Sequence, residues 1–516
     1  MASAALPLPA TRAPSSPLLI TVVVMLATFI TVLDSTIANV ALPHMQASLG
    51  AASDTVTWVL TSYIVAAAIA TPLTPWLGAK LGRKRLFVLA IGGFVGASML
   101  CGIAQTLDEM VLFRLVQGAS GAFLIPLGQS FILDAYPKEK HGQAMALWGV
   151  GIMVGPVMGP VLGGWLTDNF DWRWVFYVNL PFGLLALFGA LAVLPSPPTL
   201  LRRFDAFGFV ALGVGIGALQ LMLDRGQQLD WFASREVLLE GAVCIVGLWV
   251  FGVHVATGRD TILPTALLRD RNILTGFGFI FVVGTLQVAT SALLPPMLEA
   301  LYGYPVVTAG FAMAPRGLGT MAGMLLVGRI IGRVDPRALM VIGMSLVAAS
   351  MGVMTRFSPV MDMTPFLTTG FVQGFGIGLI FVPLNTLAFA TVAPAFRTEA
   401  ASFYSLLRNL GGSVGVSLSI GVLARQTQIA HADLGSAVSP FTVPGADPNL
   451  ARALGATGDT VVALLDSAVN GQAAMIAYLD DFVLMMWLAL AAIPMIFLLR
   501  RPRAAPAANA EPVAME

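Results

Sequence analysis

The sequence predicts an all-α integral membrane protein of about fourteen transmembrane helices, and three observations predict it. Only 11% of the 516 residues are charged and 57% are hydrophobic, whereas a soluble domain is about 25% charged. Apolar runs recur about fourteen times, each close to the roughly 20 residues that cross a ~30 Å hydrocarbon layer as a helix. Lys and Arg gather after the even-numbered runs, the pattern of a chain whose cytoplasmic loops carry the positive excess.

The runs lie near 18–42, 55–76, 86–105, 109–133, 143–166, 174–194, 205–223, 236–256, 273–296, 306–328, 337–355, 364–389, 401–423 and 478–499. Residues 1–17 hold Pro, Ala, Ser and Arg12, and the run that follows is too long for a signal peptide; the segment reads as a cytoplasmic tail, as does 500–516. Lys80, Arg83, Lys84 and Arg85 follow run 2, Lys138 and Lys140 follow run 4, and Arg202 and Arg203 follow run 6. Arg259, Arg269 and Arg271 follow run 8, Arg329, Arg333 and Arg337 surround the end of run 10, Arg397 follows run 12, and Arg500, Arg501 and Arg503 follow run 14. Arg173, Arg225 and Arg235 are exceptions. The pattern requires both termini in the cytoplasm.

Gly78-Ala-Lys-Leu-Gly-Arg-Lys-Arg85 and Gly328-Arg-Ile-Ile-Gly-Arg-Val-Asp-Pro-Arg337 each pair glycines four apart with arginines. If they correspond, 18–195 and 272–499 are two six-helix bundles and 196–271 is a linker with two inserted spans. Such repeats mark transporters that bind substrate between their halves. The segment 424–477 reads as an external loop, turn-rich at Ser439-Pro440, Pro444-Gly445 and Asp447-Pro448, with a helical stretch from Asp459 to Ser467.

Several classes are excluded. A net charge of +1 gives no basic surface for nucleic acid. Cys101 and Cys244 sit far apart inside apolar runs and the four histidines do not cluster, so no metal or cofactor is expected. No phosphate-binding loop is present, which removes ATP as an energy source. An intramembrane enzyme needs a nucleophile–base pair or paired metal ligands, and a receptor needs a soluble output domain; the chain offers neither.

The chemistry concentrates in a few intramembrane polar residues. Asp34 lies well inside run 1, where a charged group costs roughly 2.5–3.5 kcal/mol on insertion scales and is tolerated facing a bundle interior or wet cavity. Arg114, Gln117, Gly118 and Gly121 share one face of run 4, and Arg114 is the evident partner for Asp34. Burial favours the neutral acid and a nearby cation favours the carboxylate, so the pair is a candidate for loading and releasing a proton. Gln117, Arg316, Gln287 and Arg408 are candidates for a substrate cavity. Asn179, Gln373 and Asn385 are weaker polar candidates, better explained by structural hydrogen bonding. One deep carboxylate against as many as three intramembrane arginines favours lipophilic acids or neutral compounds over dications. In run 5, Gly151, Gly155, Gly159 and Gly163 form a smooth stripe, followed by Gly164, and Pro156 and Pro160 can bend the helix. A smooth, bent helix suits a sliding contact between halves.

These residues together resemble the major facilitator superfamily, and within it the fourteen-helix drug:proton antiporter family of the EmrB/QacA type. Leu33-Asp34-Ser-Thr-Ile-Ala-Asn-Val-Ala-Leu-Pro43 looks like its first-helix motif, and Arg114-Leu-Val-Gln117-Gly118 is similar to its proton-coupling motif. The run-5 glycine-proline series resembles its antiporter motif. Asp171-Trp-Arg-Trp-Val-Phe-Tyr-Val-Asn-Leu-Pro-Phe-Gly183 and Leu223-Asp-Arg-Gly-Gln-Gln-Leu-Asp-Trp231 resemble EmrB-like members in particular. The resemblance implies a proton-coupled multidrug efflux transporter of the bacterial inner membrane, which exports lipophilic compounds by alternating access and hands them to a periplasmic adaptor and an outer-membrane channel; the alternative is a proton-coupled exporter of one endogenous metabolite or lipophilic acid that acts without an adaptor. One motif departs. The family's loop after span 2 runs Gly-x-Leu-Ala-Asp-Arg-x-Gly-Arg-Lys; here Pro75 and Ala79 replace the first Gly and the Asp, while Lys80, Gly82, Arg83 and Lys84 remain. In the family that acid helps latch the cytoplasmic gate, so its absence puts the latch in doubt.

Overall fold

The computed structural model describes residues 16–52, 55–196, 203–258, 260–438, 452 and 456–500, and among them it is all-helical with no strand. Fourteen long helices follow one another: α1 Pro17–Ser48, α2 Trp58–Leu81, α3 Arg83–Ile103, α4 Leu107–Ala135, α5 His141–Asn169, α6 Trp174–Val193, α7 Ala206–Arg225, α8 Arg235–Thr257, α9 Arg271–Tyr302, α10 Val306–Ile330, α11 Pro336–Met354, α12 Thr364–Phe389, α13 Arg397–Ala437 and α14 Ala456–Ile496. All except α10 are long and apolar enough to cross a membrane. In α10, Arg316 and five glycines dilute the hydropathy, yet its 25 residues match a membrane's thickness and it packs between α5 and α12.

Two six-helix halves repeat the same internal packing. In the first, α1 lies on α5, α2 on α4 and α3 on α6; in the second, α9 lies on α13, α10 on α12 and α11 on α14. The halves meet mainly where α5 lies along α10, with α4 touching α13. The inserted α7 and α8 pack on each other, and α7 also touches α2 and α13. The ends of the even-numbered helices and the starts of the odd-numbered ones share one face, here called the basic end.

The sequence predicts 424–477 as a loop with a helical stretch from Asp459 to Ser467. That stretch lies inside α14, and the helices extend further than the prediction: α13 and α14 are each 41 residues long, about 60 Å at 1.5 Å per residue and twice the ~30 Å hydrocarbon thickness. The helices pack on each other. Hydropathy marks where apolar residues stop, whereas Arg425–Ala437 is polar but free of proline, so the helix continues. The turn-rich residues 439–451 lie outside the described residues.

The glycine stripe of α5 faces its own half and not the other. An added Cβ would meet Met25 at Gly151, the backbone nitrogen of Leu33 at 3.1 Å from Gly155, Thr36 at Gly159 and Ile37 at Gly163. All four partners belong to α1, in the same half. The contact with α10 and its C-cap Ile331 is made by other residues of α5: Gly142 on Ile331, Ala146 on Gly328, Gly149 on Met324, Val157 on Gly317, Pro160 on Gly310 and Gly164 on Val307. A repeat of four identifies a smooth face but carries no information about which helix covers it. The stripe therefore seats the helix that carries Asp34.

Close approach is equally tight between α2 and α4, where a Cβ on Gly118 would run into the carbonyl oxygen of Tyr63. A backbone atom cannot rotate away, so Gly118→Ala is expected to cost about 1–3 kcal/mol, as overpacking does. Gly92→Ala, with open space around it, is the matched control. The check is the thermal midpoint of each purified variant in detergent; equal midpoints would show that α2 and α4 do not need this contact.

Candidate functional site

Asp34 lies 17 residues after Pro17 in α1, about 26 Å along the axis from the basic end. Arg114 sits two turns into α4, whose start is capped by side chains: Thr106, the N-cap, accepts from the Glu109 N–H at 3.3 Å, and the Glu109 carboxylate accepts from the N–H of the preceding Gln105 at 2.9 Å. This cap sets the rotation of α4 that brings Arg114 and Gln117 onto α1.

The carboxylate of Asp34 is fully enclosed, at 0% exposure, and three donors hold it. Arg114 Nη1 donates to Oδ2 at 2.5 Å; Gln117 Nε2 and Asn179 Nδ2 donate to Oδ1 at 2.8 and 3.0 Å. Arg114 is held in turn. Its Nε donates to the Val59 carbonyl at 3.0 Å, its Nη1 also donates to Gln117 Oε1 at 2.8 Å, and its guanidinium lies over the Tyr63 ring at 4.3 Å and the Phe176 ring at 5.7 Å. The Cys101 thiol points to Gln117 Oε1 at 3.6 Å. Asn179 Nδ2 also donates to Ser98 Oγ at 3.0 Å, and Ser98 donates to the Phe176 carbonyl at 2.9 Å. A buried ion pair persists only when its remaining donors and acceptors are satisfied. Here five helices, α1, α2, α3, α4 and α6, supply the partners.

The second half holds a different polar site. Arg316 on α10 is 7% exposed; its Nη1 donates to Ser291 Oγ at 2.8 Å and its Nη2 to the Gln287 carbonyl at 2.7 Å. Both partners are neutral, and among the described residues no carboxylate pairs with it. Arg408 is half-buried, and its backbone packs on Gly284, one turn before Gln287 on α9.

At the basic end the halves are joined by polar contacts. Asp134 at the end of α4 accepts from Arg83 at 2.6 Å and from Arg397 of the other half at 2.7 Å. Gln129 donates to Asn385 at 2.8 Å, Ser402 donates to the Thr71 carbonyl at 2.6 Å, and Ser130 and Thr398 lie 3.2 Å apart. In the preceding turn Lys80 lies over the Trp76 ring at 4.8 Å, Gly82 takes a φ of +89° that suits glycine, and Lys84 donates to the Leu191 carbonyl at 2.7 Å.

The structure thus brings Asp34, Arg114 and Gln117 into one network, with Gln117 bonded to both charges. It keeps Arg316 with Gln287 in the opposite half and places Arg408 on the neighbouring turn. Sequence reading treated Asn179 as a structural amide; it is a direct partner of the carboxylate. Ser98, Tyr63 and Cys101 around the network and Asp134 at the basic end were missed. The only sequence signal for Asn179 was its place in the Asp171–Gly183 motif. Among the described residues no three His, Cys, Asp or Glu side chains converge to hold a metal.

The profile of the Major Facilitator Superfamily matches residues 24–416. The Multidrug export protein EmrB of Escherichia coli strain K12 is 37% identical over 426 residues, 82% of this chain and 83% of that protein. The Fatty acid resistance protein FarB of Neisseria gonorrhoeae is 36% identical over 486 residues, 92% of this chain and 95% of that protein. Among solved structures, the human organic anion transporter MFSD10 superposes with a TM-score of 0.60 at 15% identity, covering 92% of this chain and 99% of its own. The proton:xylose symporter XylE superposes with a TM-score of 0.58 at 13% identity, covering 93% and 96%. At such identities the two structures speak for the fold alone. The profile match and the sequence relatives carry the assignment: this multi-pass membrane protein belongs to the Major Facilitator Superfamily of transporters.

Proposed function

We propose that the protein is a proton-coupled efflux transporter of a bacterial inner membrane that exports lipophilic compounds by alternating access. The observation that carries this reading is the enclosed Asp34–Arg114 pair, a titratable carboxylate held in a membrane helix by donors from two other helices, α4 and α6. The multidrug export names of relatives such as EmrB support the export direction. In this reading 18–195 and 272–499 rock against each other along α5 and α10, with 196–271 joining them. Asp34 and Arg114 couple the movement to a proton, whose inward passage is worth about 2.3 kcal/mol per 100 mV.

The basic end faces the cytoplasm in this reading, with both termini there, and the Arg83–Asp134–Arg397 bridge closes it. Gln117 belongs to the proton site. The substrate contacts Arg316, Gln287 and Arg408 in the other half, and the glycine-proline series of α5 is the antiporter element that lets α1 move with it. The long α13–α14 pair projects on the opposite side, where it meets a periplasmic adaptor that leads to an outer-membrane channel. A narrower substrate reading, lipophilic acids, is supported by Arg316 having no carboxylate partner among the described residues and by the name of the relative FarB.

Asp34→Asn keeps size and hydrogen bonding but cannot titrate. In liposomes with an imposed pH gradient it should fold and bind substrate yet lose uphill transport, whereas Asp34→Glu should keep part of it. Undiminished coupled transport by Asp34→Asn would move the proton site elsewhere. For orientation, Ser436→Cys at the far end of α13 should react with an impermeant thiol reagent added to intact cells, and Ser196→Cys after α6 should not; the reverse labelling would invert the topology. For substrate, a panel of lipophilic acids, neutral compounds and dicationic dyes should show uncoupler-sensitive efflux of the first two. Efflux of dications alone would refute the reading of Arg316.

A further inference from the structure

The groups that touch Asp34 are all donating, and this has a consequence for its protonated form. Arg114 Nη1, Gln117 Nε2 and Asn179 Nδ2 each point a hydrogen at the carboxylate. That shell suits an anion. A proton on Oδ1 adds a hydrogen facing two N–H groups, so a protonated Asp34 needs an acceptor that the shell as arranged does not offer.

Two side chains touching the carboxylate carry an acceptor. Gln117 Oε1 already accepts from Arg114 Nη1 and from the Cys101 thiol, and turning that amide would break both bonds. Asn179 Oδ1 is buried and has no hydrogen-bond partner. Its amide orientation is set by the surroundings, because Nδ2 serves two acceptors, Asp34 Oδ1 and Ser98 Oγ. Rotating the Asn179 amide by half a turn puts Oδ1 where Nδ2 stood. It then accepts the new O–H of Asp34, and Ser98 turns its hydroxyl from the Phe176 carbonyl to the same oxygen. That carbonyl still faces the backbone N–H of Val178, which it shares with the Trp174 carbonyl. The turn exchanges an unpaired amide oxygen for an unpaired amide nitrogen with its two hydrogens, a cost that the new bond to the protonated acid offsets.

We infer that Asn179 is a positioning residue for the proton, an amide that donates to the Asp34 carboxylate and turns to accept from the protonated acid. The inference rests on the proton-coupled reading of Asp34. Among the described residues the other charged or titratable groups around the site are Arg114 and Tyr63, with Cys101 behind Gln117. None of the hydrogen bonds to Asp34 comes from Tyr63 or Cys101, which leaves the amide as the adjustable element.

The test is the carboxylic-acid C=O stretch in acid-minus-neutral difference infrared spectra of the full-length protein in lipid, with pH-gradient-driven transport measured on the same samples. Wild type should show a band that Asp34→Asn removes, at the lower frequency of a hydrogen-bonded acid. In Asn179→Leu that band should move up to the frequency of a free acid, and Asn179→Gln should return it toward wild type. Gradient-driven transport by Asn179→Leu should fall at least about tenfold, the size expected when a buried polar group loses its hydrogen bond. Substrate exchange at equal pH, which needs no proton turnover, should stay near wild type. Asn179→Val carries the same expectation should the leucine variant not fold. An unmoved Asp34 band, or an equal loss of exchange and of gradient-driven transport, would overturn the role of Asn179 while leaving Asp34 as the proton site. A wild-type spectrum with no Asp34-dependent band would overturn the proton-coupled reading itself.

Discussion

A carboxylate and a guanidinium enclosed together inside a membrane bundle constrain the rest of the first half. Each charge costs roughly 2.5–3.5 kcal/mol to place at the centre of a membrane helix on insertion scales, and their attraction offsets this only in good geometry with every spare donor and acceptor occupied. Water does not reach Asp34, so the protein must supply all the partners. This requirement explains the placement of five helices at once. Helix α1 brings the acid, α4 the arginine and Gln117, α2 the Val59 carbonyl and Tyr63 ring, α3 Ser98, and α6 Asn179. The glycines of α5 and Gly118 of α4 let the backbones come close enough for short polar side chains to meet.

The two halves repeat their helix packing but not their chemistry. The first half holds a compensated pair. The second holds Arg316 bonded to a hydroxyl and a backbone carbonyl, which satisfy its hydrogens but leave its charge in place. Geometry alone does not require this difference, since α1 on α5 and α9 on α13 form equivalent pairs. Under the proposed function the asymmetry separates two tasks: the half with the titratable acid handles the proton, and the half whose Arg316 has no carboxylate partner among the described residues is free to meet the cargo. A site that neutralises its own charge loses little when the bundle moves, whereas one that does not gains most from a ligand that brings an anion.

How much of this was legible in the sequence depended on whether the signal was local. Asp34 stood out because a carboxylate in an apolar run is costly wherever the chain folds. Arg114 and Gln117 followed because residues three apart share a helix face. The helix number and most boundaries were readable for the same reason. Asn179 was not, since nothing in its own helix distinguishes an amide that touches a carboxylate from one that bonds a carbonyl. The stripe at Gly151, Gly155, Gly159 and Gly163 was visible as a period, but its partner is a tertiary fact and proved to be α1. The lengths of α13 and α14 were hidden because hydropathy reports the lipid and not the hydrogen-bonded helix, which continues through polar residues.

The basic end shows how a motif can lose its expected acid and still be bridged. The loop has Ala79 where the resembling family has Asp, so sequence reading left its latch in doubt. Asp134 accepts from Arg83 of its own half and Arg397 of the other. The acid that joins the halves is thus on α4, 51 residues beyond Arg83. Asp134 is 33% exposed, so each of its ion pairs falls in the range of about 0–1 kcal/mol. The neighbouring Gln129–Asn385 and Ser402–Thr71 hydrogen bonds add about 0.5–1.5 kcal/mol each. The whole closure is then worth a few kcal/mol. One proton crossing 100 mV releases about 2.3 kcal/mol, so on the proposed cycle the latch and its driving force are of similar size. A buried, fully compensated pair at this end would hold the halves more firmly, and would also demand more than one proton delivers to open them. The weak, half-exposed bridge is the arrangement a reversible gate requires, and the strong pair is placed where the halves do not separate, inside the first bundle.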